Sequence, residues 1–181
     1  MSEELIVTHC APTLANMKVG NLFNCSYDCI ELLYTNLTRY NRMLNSKGVY
    51  LVLLKLKNNR ALIYVFRPNK LKTSLESIEV QNFLSRCGYK DFSLFGCLNT
   101  LKQRICIDED FPHEIGIFLG YPIEDVTLFI SNKGQNFKSL GHWKVYSNEA
   151  EALMTFKRFN QCTRIYKQKL KDGFSFERLV V

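Results

Sequence analysis

The 181-residue sequence lacks the features that mark membrane, secreted and nucleotide-binding proteins. No run of eighteen apolar residues occurs, so we expect no membrane-spanning helix and no membrane partner. The first residues, MSEELIVTHC, are acidic and lack the charged-then-apolar order of a signal peptide, which predicts a cytoplasmic protein. Neither GxGxxG nor GxxxxGK is present, and nucleotide binding through those motifs is therefore not predicted.

The chain also lacks internal repeats and low-complexity linkers. Its length is normal for one domain, and a composition of 46% hydrophobic and 23% charged residues is ordinary for a globular protein. We therefore predict a single domain over residues 1–181.

No CxxC motif occurs among the seven cysteines, which are Cys10, Cys25, Cys29, Cys87, Cys97, Cys106 and Cys162. An odd number without regular spacing is a poor disulfide framework and favours free thiols in a reducing compartment. Cys25 and Cys29 are four residues apart and supply only half of a tetrahedral zinc site. The spacing therefore predicts no metal site.

The formal net charge of +7 raises the question of nucleic-acid binding. Six cations lie on one predicted C-terminal helix, namely Lys157, Arg158, Arg164, Lys167, Lys169 and Lys171. Three of them repeat every seven residues and form a stripe, which is typical of the solvated face of an amphipathic helix. Without glycine-rich interleaving the stripe does not favour nucleic acid, which we keep as a second alternative function.

The apolar pattern predicts an α+β fold. Two apolar segments, VYLVLLKLK and RALIYVFRP, flank the dipeptide Asn58-Asn59 and predict a β-hairpin that ends at Pro68. Because both strands are apolar on both faces, we expect the hairpin to lie centrally in a sheet that is covered on each side. EIGIFLG predicts a third strand, HWKVY a fourth and FSFERLVV an edge strand. The expected sheet is mainly antiparallel, with four or five strands, and is packed by helices.

Helical spacing predicts helices over residues 2–9, 26–45, 76–87, 93–106, 122–134 and 147–173. Ser26 and Ser147 are the expected caps of the two long helices. Pro122 is expected at a first helical position, with Glu124 and Asp125 stabilising the N-terminus of that helix.

Two stretches place a histidine beside a proline. They are THCAPTLA at 8–15 and FPHEIGIFLG at 111–120. Pro12 and Pro112 restrict the backbone at and before their own positions, which suits a rigidly held site. We therefore predict that His113 and Cys10 share one partly exposed cleft.

Three segments in the same order carry an end-to-end resemblance to a known family. HCAPTLANMKVGNLF, FPHEIGIFLGYPIEDV and HWKVYSNEAEA resemble an uncharacterised bacterial family from Firmicutes, catalogued as domain of unknown function 3793. The resemblance implies no activity that can be carried over.

A local resemblance bears on chemistry. HEIGIFLG is similar to the histidine strand of papain-like NlpC/P60 hydrolases, in which that histidine faces a cysteine at a helix N-terminus. This resemblance implies a thiol-dependent hydrolase or transferase with His113 as base. Cys10 is the preferred nucleophile because Pro12 is expected to leave it near a helix cap, and Cys29 competes for the role. His142 or Asn132 would orient the histidine.

A binding module is the alternative function. His9, Cys10, Thr13, His113 and Tyr121 would then line a pocket for iron, haem or another small ligand. The sequence identifies no cofactor. The structural alternative for the same residues is that Cys10 is a small buried hydrophobe and that His113 only opens a strand.

Overall fold

The computed structural model of the chain describes residues 1–107 and 111–181, and its fold is α+β as predicted. The helices are α1 (Glu3–Leu14), α2 (Ile30–Leu44), α3 (Pro68–Leu75), α4 (Ile78–Arg86), α5 (Leu94–Ile107), α6 (Ile115–Phe118), α7 (Ile123–Ser131) and α8 (Glu149–Lys171). The strands are β1 (Gly20–Ser26), β2 (Tyr50–Lys57), β3 (Arg60–Phe66), β4 (Ser139–Leu140) and β5 (Lys144–Val145). Two short 3-10 helices cover Asn45–Lys47 and Phe176–Leu179.

The main sheet is antiparallel and has three strands in the order β1-β3-β2. Strands β4 and β5 form a separate two-stranded sheet, so the prediction of one sheet with four or five strands is wrong. The predicted hairpin is confirmed, because β2 and β3 pair through a two-residue turn. Asn58 and Asn59 occupy that turn with φ of 50° and 55°, the positive values that such turns require and asparagine tolerates.

The central strand β3 is buried on both faces. Ala61, Ile63 and Val65 pack into a core that α1 and α2 complete. Tyr64 and Phe66 point to the opposite face, into a second core formed with helices α3 to α7. The prediction of a central hairpin that is covered on both sides is therefore confirmed for β3 only, because β2 lies at the edge of the sheet. Each helical layer is attached to one face of β3.

Strand β1 was not predicted. It pairs with β3 along its whole length, from Gly20 opposite Phe66 to Ser26 opposite Arg60. Asparagines at positions 21 and 24 have low strand propensity, and the partner strand is distant in sequence, so no local pattern indicates the pairing. Gly20 is required by close packing, since a Cβ there would lie 2.5 Å from the Tyr64 ring.

The strand prediction for EIGIFLG is wrong, because this segment forms the short helix α6. The amide of Gly116 bonds to the carbonyl of His113, and all four residues of α6 are buried. A short apolar run that is buried on every side has the same pattern in a strand and in a helix. Gly116 also allows α6 to approach α7, since a Cβ at this position would lie 2.6 Å from Val126.

The strand prediction for FSFERLVV is wrong as well. This segment contains the 3-10 helix Phe176–Leu179, and both of its named end residues are buried in the first core. The HWKVY segment forms only the short strand β5, outside the main sheet. Lys47 holds the C-terminal segment by donating from Nζ to the carbonyls of Glu177 at 2.6 Å and Val180 at 3.1 Å.

Arg67 connects three parts of the chain at the end of β3. Its guanidinium is buried and donates to the carbonyls of Thr13 and Leu14, both at 2.7 Å, and of Lys47 at 3.2 Å. It also donates to the Val181 carbonyl. The next residue, Pro68, begins α3 at a first helical position. The sequence pattern predicts only the end of the hairpin there, and no helix.

The helix boundaries differ most at α1 and α2. Helix α1 continues past the predicted end through Pro12 to Leu14, and α2 begins only at Ile30, after Cys29 as its N-cap. Helices α4 and α5 lie within two residues of the predicted bounds. Asn148, rather than the predicted serine before it, caps α8.

The predicted basic stripe on α8 is exposed at Lys157, Arg164 and Lys171. Over residues 1–107 and 111–181, no helix combines the length and the apolar character that crossing a bilayer requires.

Replacing Ile63 with alanine is expected to lower the free energy of unfolding by about 2–5 kcal/mol, because it removes fully buried methylene groups from the central strand. The matched control is Ile78→Ala, at a side chain that is 76% exposed, where a change within about 0.5 kcal/mol is expected. Urea unfolding followed by circular dichroism measures both. Equal effects of the two substitutions would contradict the central position of β3.

Candidate functional site

A cavity of about 310 Å³ lies between α6, α7 and the β4–β5 hairpin, and we call it the aromatic cavity. Six of its wall residues carry aromatic or imidazole rings, namely Phe111, His113, Tyr121, Phe129, His142 and Trp143. The His113 ring meets Phe129 edge-on at 4.9 Å, and Tyr121 stacks on Trp143 at 4.9 Å. The volume lies at the lower end of the roughly 300–1,000 Å³ range of small-ligand sites.

Asp125 holds one side of the aromatic cavity together. Its Oδ2 accepts the indole N–H of Trp143 at 2.7 Å. Its Oδ1 accepts the backbone N–H of Tyr146 at 2.9 Å, and the backbone N–H and hydroxyl of Ser147 at 2.8 Å each. Burial alone would raise the pKa of this carboxyl, but the hydrogen bonds outweigh it and hold the pKa below its ordinary value. An ionised Asp125 in the first turn of α7 therefore fixes the indole and the end of β5.

The β4–β5 hairpin rests on α8. Gly141 lies so close to Phe156 that a Cβ would stand 2.2 Å from its ring. Trp143 packs edge-to-face on the same ring at 4.5 Å. The hairpin backbone also bonds to the loop before α7, because the Tyr121 hydroxyl donates to the carbonyl of His142 at 3.0 Å. These contacts fix the indole of Trp143, which separates the aromatic cavity from α8.

Three residues that the sequence indicated are brought together by this arrangement. His113, Tyr121 and His142 all line the aromatic cavity. A ring nitrogen of His142 lies 3.0 Å from the side-chain oxygen of Asn160. Burial lowers the pKa of His142, and the charge of Lys18 lowers it further against the opposing effect of the Asn160 hydrogen bond. His142 is therefore neutral at pH 7. The His113 side chain is exposed to solvent at the wall of the cavity.

The α1 residues that the sequence grouped with His113 lie elsewhere. Cys10 has no exposed surface and belongs to the first core, and burial raises its pKa well above the ordinary thiol value, against an opposing effect of Lys18. His9 stacks on Phe23 at 5.7 Å. The Thr13 hydroxyl donates to the side-chain oxygen of Asn21 at 2.7 Å. Cys10 thus contributes no surface to a cleft, and the prediction of a partly exposed cleft shared with His113 is wrong.

Cys29, the competing nucleophile, and Asn132, the second candidate for orienting the histidine, also lie outside the wall of the aromatic cavity. The predicted helix over 26–45 includes Cys29, but α2 begins one residue after it and Cys29 is its exposed N-cap, where its Sγ lies 2.9 Å from Oε2 of Glu31. Asn132 ends α7, and its side-chain amide donates to the carbonyl of Leu128 at 2.8 Å. Within the described ranges, no group of three His, Cys, Asp or Glu side chains is placed to hold a metal ion.

Sequence reasoning missed Asp125, Phe129 and Trp143 as members of a site. Asp125 has the pattern of an ordinary helix-initiating acid, and its role depends on a hairpin twenty residues later. One available signal was the scarcity of tryptophan: the only one in the chain stands in a short polar segment, GHWKVY, rather than in a long apolar element. A large ring in such a segment needs partners from other elements.

Fold and geometry together define an α+β protein with a preformed aromatic cavity. Over residues 6–180 the chain matches the family described as Protein of unknown function (DUF3793), and it belongs to that family. The resemblance to domain of unknown function 3793 is thereby confirmed, whereas the bacterial origin and the local NlpC/P60 resemblance stay predictions. Comparisons with curated proteins and with solved structures gave no match.

Asp125→Asn is expected to destabilise the protein by about 1.5–3 kcal/mol at pH 7, because an amide cannot accept at both positions. Since the folded pKa lies below the unfolded value, the carboxylate stabilises the fold above about pH 4, and this contribution is lost as the pH falls through the folded pKa. Urea unfolding at several pH values should show a difference from wild type that shrinks in acid. The exposed control Asp28→Asn should show little effect at any pH, and an equal loss there would contradict this role.

Native-state alkylation tests the thiol hypothesis. We expect iodoacetamide to label the exposed thiols of Cys29 and Cys106 first, and to reach Cys10 only after unfolding, because that thiol is buried and protonated. Peptide mass spectrometry after timed quenching measures each rate in the native protein and in urea. Rapid labelling of Cys10 in the folded protein would contradict its placement and support a nucleophilic role.

Proposed function

We propose that this chain is a small-molecule binding protein and that its ligand is a flat organic compound with one or two aromatic rings. One observation carries the proposal: the aromatic cavity is preformed, with ring faces held by packing and by the Asp125 hydrogen bonds rather than left to the ligand. Rigid aromatic walls lose little conformational entropy when a ligand binds.

The shape of the wall supports a flat ligand. Tyr121 and Trp143 form a stacked pair, and Phe129 meets His113 edge-on. Such walls offer both ring faces and ring edges, which are the arrangements that aromatic pairs prefer. The ring of Phe111 and the side chain of Leu140 also line the cavity, and these residues are 45% and 65% exposed to solvent. They provide apolar surface that a ligand would cover.

The polar groups of the wall limit the chemistry of the ligand. Asp125 already accepts four hydrogen bonds, and Lys144 donates to the Gly134 carbonyl at 2.7 Å, so these charges are occupied within the protein. The imidazole of His113 is the exposed polar group at the wall. A hydroxyl or carbonyl substituent on the ring would bond to it, and we expect a ligand with few polar atoms.

Iron and haem have less support than an organic ring. The described ranges provide no three-ligand metal cluster. A cavity of about 310 Å³ does not enclose a porphyrin. A thiol-dependent reaction also has less support. Cys10 is buried in the first core, and burial disfavours its thiolate. Cys29 is exposed, but it does not line the aromatic cavity with His113.

Isothermal titration calorimetry with 1-naphthol, a two-ring compound with one hydroxyl, tests the proposal. We expect Phe129→Ala to weaken binding about 5- to 30-fold, because it removes a ring from the wall. The control Phe95→Ala removes a ring that is 75% exposed on α5 and should leave the affinity unchanged. His113→Gln, at an exposed position, tests the polar contact without a core change.

Two outcomes would contradict the proposal. One is binding of 1-naphthol that none of the wall substitutions affects. The other is a haem absorption spectrum, after addition of haem, that depends on His113 while 1-naphthol does not bind, which would favour the haem alternative.

A further inference from the structure

A second cavity, of about 480 Å³, shares Trp143 with the aromatic cavity, and we call it the lysine cavity. Its wall includes Lys18, Lys70, Thr155, Phe159 and Trp143. Two amines and two threonine hydroxyls make this wall more polar than the wall of the aromatic cavity, which consists mainly of rings. The sequence motifs did not indicate it, since Lys18 stands in an ordinary connecting segment between α1 and β1.

The backbone holds Lys18 firmly in place. Its amide donates to the Pro12 carbonyl at 3.1 Å, and the next carbonyl, of Val19, accepts the Arg67 amide at 2.9 Å. Strand β1 begins one residue later. The lysine therefore lies between a helix-ending turn and the first strand pair, not on a loose loop.

The Lys18 side chain is buried, and the described part of the chain places no counter-ion beside it. The residue is 5% exposed, and its Nζ lies 5.0 Å from the centre of the Tyr121 ring and 5.9 Å from that of Phe159. Among the described residues, Lys18 Nζ has neither a hydrogen bond nor an ion pair, and its charge lies against two ring faces at the wall of the cavity. Ring faces compensate a buried ammonium less well than an anion does.

Burial lowers the pKa of Lys18 to about 8, against an opposing effect of the Cys10 thiol. A buried lysine without a carboxylate is rare in proteins, because the charge loses its hydration and gains nothing equivalent. Replacing it with an apolar side chain would be the simpler solution for a core position. An anion that enters the adjoining cavity would supply the missing partner.

We propose that the lysine cavity is a binding site for the oxyanion group of a small molecule, a carboxylate, phosphate or sulfate, with Lys18 as its principal ligand. Lys70 contributes a second positive charge at the wall, and the hydroxyl of Thr155 is available as a hydrogen-bond donor. The Thr73 hydroxyl also lines the wall, but it donates its proton to the Asn69 carbonyl at 3.1 Å. This site goes beyond the proposed function, because its principal ligand, Lys18, does not line the aromatic cavity and because it binds a different chemical group.

The site should depend on pH through Lys18. The ionisable groups around it are the Cys10 thiol from α1, Lys70 from α3, Tyr121, whose ring lies under the ammonium, and His142. Burial raises the pKa of Cys10 and Tyr121 and lowers that of His142, so none of these three changes charge between pH 7 and 9. Binding of an anion should therefore weaken as the pH rises through about 8 and Lys18 loses its proton.

Isothermal titration calorimetry with sodium sulfate tests this site, because sulfate does not change its charge between pH 7 and 9. Inorganic phosphate and benzoate are then titrated as the phosphate and carboxylate probes. All titrations are made at constant ionic strength. We expect Lys18→Met to weaken binding about 10- to 100-fold, as the loss of a charged hydrogen bond predicts. Lys18→Arg should keep binding but lose the pH dependence. The control Lys157→Met removes an exposed charge from α8 and should leave binding unchanged.

A stability measurement separates a ligand site from a structural role. Lys18→Met should raise the melting temperature, because it removes an uncompensated buried charge, whereas a structural lysine would leave the variant less stable. Binding of 1-naphthol should persist in Lys18→Met, so a failure of this site is distinguishable from a failure of the aromatic cavity. Absence of binding of all three anions by the wild type, or equal binding by Lys18→Met, would overturn the proposal.

Discussion

The fold depends on one strand that must be buried on both faces. Strand β3 has no polar side, so it requires a strand on each edge and a helical layer on each face. Strands β1 and β2 meet the first need, and two separate cores meet the second. Arg67, at the end of β3, then bonds to the carbonyls that close α1 and to the C-terminal segment. Both cavities lie outside the sheet, in the layer that joins the second core to α8.

The sequence predicts a structural element correctly where residues close in sequence determine that element by themselves. The Asn58-Asn59 turn has a backbone that few other residue pairs adopt, and the apolar segments on its two sides allow little except a hairpin. Strand β1 has no such signal, because its stability comes from pairing with β3. The EIGIFLG segment shows the opposite problem. Its hydrophobicity is clear, but burial on every side leaves no period that distinguishes a helix from a strand.

The site residues also divide into those that their residue type indicates and those whose role depends on tertiary contacts. His113, His142 and Tyr121 were identified because their residue types suggest chemistry, and the structure places all three on one wall. Cys10 was grouped with them on the same grounds, yet it faces the first core, because the direction of a helical side chain depends on what the helix packs against. The roles of Asp125 and Lys18 arise from burial and from partners in other elements. Neither property is visible in a single sequence without its tertiary contacts.

The position of Trp143 has a thermodynamic consequence. Its indole is a wall shared by the aromatic cavity and the lysine cavity, and it is held by the hydrogen bond to Asp125 and by packing on Tyr121 and Phe156. If the proposed ligand of one cavity shifts this ring, it changes the wall of the other cavity. By linkage, each ligand would then change the affinity of the other ligand by the same factor. Two chemically different ligands would in this way be sensed jointly through a single side chain.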